Sequence, residues 1–119
     1  MRVKCTRIPY LGPGRPLDSS PWVTVGAEYT VISLLANPQG KITLHIVTDD
    51  GEGFAMYGSE SFSITDGSIP ESWVARMDEG GMLQLAPEPW LADGFWEAYY
   101  DGDPTAADEV KTYLRRILA

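Results

Sequence analysis

Histidine and cysteine each occur once in this chain, as His45 and Cys5, so any serine–histidine, cysteine–histidine or multi-histidine metal chemistry must pass through one of two positions. His45 stands in the alternating run "KITLHIVTDD" on the same face as Lys41 and Thr43, and reads as an exposed strand histidine. Cys5, in "VKCTRI", reads as a small, partly buried strand residue, and no spacing couples it to His45. Carboxylates are plentiful. The stretch "TDDGEGFAMYGSESF" at 48–62 holds Asp49, Asp50, Glu52 and Glu60, and invites comparison with a calcium loop. Such a loop needs oxygen ligands at alternate positions, a central glycine and a closing glutamate between two helices. Here the acids are adjacent, Phe54 and Met56 occupy ligand positions, and the flanks have strand character, so Asp-Gly marks a tight hairpin turn. "DGDPTAADE" at 101–109 fails the same test through Thr105 and Ala106, and Asp103 is better explained as a helix cap. There is no glycine-rich phosphate loop, CxxC pair or HExxH motif. The expectation is a protein that is not an enzyme and carries no cofactor or metal. An enzyme would have to work through His45 or through a carboxylate pair in a cleft.

Charge says more about partners. The net charge of −8 is uneven, because residues 1–17 contain Arg2, Lys4, Arg7 and Arg15 and no acid, leaving five basic against 17 acidic residues, hence −12, from residue 18 onward. Between Asp49 and Glu109 the only basic side chain is Arg76. Such a surface repels nucleic acid and anionic membrane and attracts a basic protein, although acidity also serves solubility alone. The amino-terminal residues lack the apolar run of a signal peptide, and "VISLLA" at 31–36 is too short to span a bilayer, so a soluble, cytoplasmic protein is expected. One cysteine requires no oxidising compartment.

A chain of 119 residues suits a single domain. "PYLGPGRPLDSSP" at 9–21, with four prolines and two glycines, reads as a loop after a short first strand. Strand character follows in "TVGAEYTVISLLA", at Tyr29, Val31 and the residues after them, and in "KITLHIVTDD", the second placing Ile42, Leu44 and Ile46 on a core face, with "NPQG" turning between them. "FAMY" and "FSIT" are two more strands joined by "GSES". Residues 72–77 and 82–86 form a further hairpin, turning at Asp78–Gly81. The period then shifts toward four. Asp93 can cap a short helix over "GFWEAYY", and Asp103 with Pro104 can open a last helix whose buried face carries Ala107, Val110, Leu114, Ile117 and Leu118. Trp90, Phe95, Trp96, Tyr99 and Tyr100 are too many for one face of a short helix. They form either a second small core or, ringed by Glu88, Asp93, Glu97, Asp101 and Asp103, a hot spot for a basic partner.

The segment 23–66, carried by "VGAEYTVI", the acidic turn "DDGEG" and "GFAMYGSESFSI" as strand, helical turn and strand, resembles an SH3-like small barrel. Gly58 and Ser61 fall where peptide-binding SH3 domains carry Pro and Tyr, so their groove is not expected here. With "IPESWVARMDEGGMLQL" and "PEPWLADGFWEAYYDGDP" the chain resembles small uncharacterised bacterial proteins that pair such a barrel with this tail, some of them similar to immunity proteins of polymorphic toxin systems. The fold expected is α+β: an SH3-like small β-barrel (23–66) after an amino-terminal strand and Pro/Gly loop (1–22), then a β-hairpin and two C-terminal helices (67–119). The resemblance implies a non-enzymatic inhibitor that binds a toxin domain. Asp49, Asp50, Glu52, Trp96, Asp101 and Asp103 are the expected contact residues. A small-ligand or peptide-binding module is the alternative, and would need a concave apolar site between barrel and aromatic helix.

Overall fold

The computed structural model describes residues 1–8 and 22–118; the proline-rich loop expected at 9–21 lies outside them. The fold is α+β, an antiparallel sheet of seven strands followed by two C-terminal helices. Strands β1 (Arg2–Cys5), β2 (Glu28–Ala36), β3 (Ile42–Val47), β4 (Phe54–Gly58) and β5 (Phe62–Asp66) lie in the order β4-β3-β2-β1-β5. Strands β6 (Trp73–Met77) and β7 (Leu83–Pro87) form the added hairpin, and β7 pairs with β2 through Leu34–Ala36. The nine-residue β2 thus shares one edge between β1 at Glu28–Thr30 and β7, with β3 along the other. A register shift between Val31 and Ser33 bends it at the change of partner.

The sheet carries a packed cluster on each side. On one side Val3, Cys5, Val23, Tyr29, Val31, Leu44, Ile46 and Trp73 form the main core. The two ends of the five-strand order approach each other there, since the rings of Tyr57 on β4 and Phe62 on β5 are 5.9 Å apart although no ladder joins those strands. On the other side Ile32, Ala86, Trp90 and Val110 make a second core, packed by Val47, Phe54, Phe95, Trp96 and Tyr99. Strand β3 accordingly departs from the half-buried pattern expected of it. Leu44 and Ile46 are buried on one face and His45 on the other, while Ile42, at the strand's start, is exposed. The C-terminal helices are the reason, because they cover the face that a lone hairpin would leave in water.

The local devices are mostly those expected. Gly81, at φ 85°, donates its N–H to the Asp78 carbonyl to close the β6–β7 turn. Helix α2 (Pro104–Leu118) begins at its proline, and Asp103 Oδ2 accepts the Ala106 N–H at 2.8 Å. Its buried face runs through Ala106 and Val110, with Tyr113, Leu114 and Ile117 partly covered. Ala106 replaces the expected Ala107 as the buried alanine, and Leu118, in the last turn, is exposed. Helix α1 (Phe95–Tyr100) corrects the expected Asp93 cap. Its N-cap is Gly94 in the left-handed region, at φ 77°, which carries the chain past Asp93 so that its carboxylate faces Arg76 at 3.4 Å instead of the first helical turn. No helix among the described residues is long and apolar enough to cross a membrane.

Candidate functional site

The acidic turn between β3 and β4 is built by its own carboxylates. Asp50 Oδ1 accepts from Gly53 N–H and Glu52 N–H at 2.9 Å and from Thr48 Oγ1 at 2.8 Å, and these bonds hold its carboxyl below the usual range. Gly51 supplies the positive φ, 74°, that the turn needs. Asp49 fastens the turn to the body, accepting from the Tyr29 hydroxyl and from Thr24 Oγ1, while its N–H donates to the Trp22 carbonyl. Burial and the Asp49 bond push the Tyr29 phenol up. Asp49 and Asp50 therefore build the loop that presents them, and Glu52 stands exposed at its tip. Among the described residues no three His, Cys, Asp or Glu side chains gather as a metal site.

The other expected contact residues lie on and after α1. Trp96 is half-buried at the centre of an aromatic group, with ring centroids 5.0 Å from His45, 6.1 Å from Phe54, 5.5 Å from Trp90 and 6.1 Å from Tyr100. Asp101 closes α1 and Asp103 caps α2, both exposed. Phe54, directly after the acidic turn, is 6.2 Å from Tyr99, two residues before Asp101, so turn and helix end flank one aromatic surface. The aromatics divide between core and surface: Trp90 is fully enclosed, its Nε1 donating to the Glu109 carbonyl at 3.3 Å, whereas Tyr100 is 66% exposed.

Between the sheet and α1 lies a cleft of about 320 Å³. Ser33 on β2, His45 on β3, Met56 on β4 and Gln84 on β7 line it together with Trp96 and Tyr100. The expectation of an exposed histidine is overturned: His45 is 7% exposed. Cross-strand pairing sets Ser33 and Met56 on either side of it, and Ser33 Oγ lies 3.1 Å from Nδ1. Desolvation lowers its pKa from 6.5 to about 4, so the ring is neutral at pH 7. A neutral imidazole donates through one nitrogen and accepts through the other, but a base this weak, with no carboxylate bonded to it among the described residues, is poorly matched to proton abstraction near neutrality. Cys5 sits in the main core across the sheet from His45, its thiol donating to the Arg7 carbonyl and pushed up by burial. The two form no dyad.

Sequence reasoning missed Ser33, Met56 and Gln84, which come from three strands with no common spacing. One signal was present: Val47, an apolar residue on the face assigned to Lys41, Thr43 and His45, marks that face as covered. Comparison of the chain with models of known families, with curated proteins and with solved structures gives no match.

Proposed function

We propose that this chain is a non-enzymatic, acidic protein-binding domain, an immunity-type inhibitor that covers a basic toxin surface in the cytoplasm. The observation that carries the reading is the aromatic surface around Tyr100 and Met56, 66% and 52% exposed, with the exposed acids Glu52, Glu97 and Asp101 close to them along the chain. Residues 49–109 hold 15 acidic side chains against Arg76 alone, a balance of −14. Arg76 is itself occupied, donating to the Leu91 carbonyl and pairing with Asp93. A basic partner would be drawn by long-range attraction and held by apolar contact with Trp96 and Tyr100. Asp49, Asp50, Glu52, Trp96, Asp101 and Asp103 are the proposed contacts, with Asp49, Asp50 and Asp103 also serving the fold. The neutral, weakly basic His45 favours binding over catalysis.

The body that presents this surface is proposed to be an SH3-like barrel. Its support is the strand order β4-β3-β2-β1-β5, the 3₁₀ turn at Ser59–Ser61 between β4 and β5, and the contact of Tyr57 with Phe62 across the gap. The test is capture of partners from the native cell on the immobilised protein at low and moderate salt, with identification by mass spectrometry. One basic protein retained at moderate salt, whose activity the chain inhibits when both are purified, is the expected result. Retention of no basic protein at either salt would overturn the proposal.

A further inference from the structure

We infer that the cleft between the sheet and α1 is a binding site for a small, uncharged, planar aromatic molecule with a hydrogen-bonding group on one edge. Its volume of about 320 Å³ lies at the lower end of the range of small-molecule sites, roughly ten water volumes. Among the described residues no Asp, Glu, Lys or Arg lines it. A carboxylate ligand would find no cation on the described walls, since the nearby Arg76 is held by Leu91 and Asp93, and a buried ammonium would find no carboxylate there. Uncharged chemistry is what remains.

The walls favour a flat ring. His45, Phe54 and Trp90 meet Trp96 at interplanar angles of 72°, 71° and 68°, an edge-to-face cluster to which another aromatic ring can be added in the same manner. Met56 stands at the mouth, 52% exposed, where an unbranched thioether adapts to a ring edge. The polar handle is His45. His45 is 7% exposed and its Nδ1 faces Ser33 Oγ, while the remaining ring nitrogen makes no hydrogen bond to a described residue and is not among the buried unpartnered atoms, so it opens to water in the cleft. A donor or acceptor on the edge of a bound ring would take the place of water at that nitrogen. Rotation of the Ser33 hydroxyl selects the tautomer, so the open nitrogen can take either role, and the Gln84 amide on the same wall also offers both.

The test uses indole as the neutral probe, with benzoate and benzylamine as charged ones, added to the full chain and followed by the His45 ring resonances and by thermal unfolding. Saturable binding of indole that moves the His45 resonances, with both charged probes at least tenfold weaker, is the expected result. Met56→Trp, which blocks the mouth from an exposed position, should abolish it, and Glu52→Lys, outside the cleft, should leave it unchanged. Because Glu52→Lys weakens the proposed protein contact but not the cleft, the two readings fail separately. Absence of saturation, a response that leaves His45 unmoved, or equal binding of a charged probe would each overturn the inference. So would burial of Trp96 by a captured protein without any indole binding, which would assign the cleft to a protein anchor.

Discussion

Acidification should unfold this protein partly through one imidazole. The ordinary pKa of 6.5 holds for His45 in the unfolded chain, while burial lowers it to about 4 in the fold. Between those pH values the unfolded state binds more protons, so stability falls as pH falls; the contribution is complete above about pH 6.5 and largely lost at pH 4. At 1.36 kcal/mol per unit, the loss by pH 4 is about 3 kcal/mol, a large fraction of a small domain's stability. Among the described residues no carboxylate or cation lines the cleft to offset it. The exposed Asp50 and Asp66, both held below their usual range by backbone hydrogen bonds, also lose stabilising interactions in acid, so the perturbation must isolate the ring. His45→Gln removes the titration and keeps a polar side chain. Urea unfolding of both proteins at pH 7.5 and pH 4 should show the wild type losing about 3 kcal/mol more than the variant. Equal losses, or an imidazole that titrates near 6.5 by NMR, would refute the reasoning.

Three further outcomes follow from particular contacts. Asp103→Ala should cost about 1 kcal/mol by removing the α2 cap, whereas Asp93→Ala, whose side chain is 98% exposed, should stay within about 0.5 kcal/mol; equal costs in urea unfolding would contradict the capping assignment. Trp90→Ala should cost about 4 kcal/mol, because the ring is 3% exposed at the centre of the second core, and a loss under about 1 kcal/mol would mean that the helices do not pack as described. Cys5, 1% exposed with its thiol pushed up by burial, should react with an aromatic disulfide reagent only at the rate of unfolding. Rapid labelling of the native protein would place it elsewhere.

Much of the architecture was written locally. The Asp-Gly turn at 50–51, the Asp78–Gly81 turn and the Asp103–Pro104 helix start each depend on a side chain that acts within four residues, and each is where the sequence placed it. What stayed hidden depends on distant chain. Alternation along β3 is visible, but whether its second face meets water depends on helices some fifty residues later, and so the burial of His45 was missed. The first strand is legible at Val3 and Cys5, yet nothing local indicates that it pairs with both β2 and β5. Asp93 has the residue type of a cap, and only the left-handed turn at Gly94 removes it from that role. The cleft was not legible as a set of residues, because its walls come from four strands, the 3₁₀ turn at Glu88–Leu91 and α1.

The acidic, aromatic surface is the central claim, and its most direct measurement is the affinity of the captured basic partner for the wild-type chain and for Glu52→Lys/Asp101→Lys, each at low and moderate salt. Both positions are exposed and neither side chain builds the fold, so the doubly reversed variant should unfold like the wild type. The account predicts affinity at least about tenfold weaker for the variant, with the gap narrowing as salt screens the attraction. Equal affinity at low salt would contradict it and make the acidity a matter of solubility.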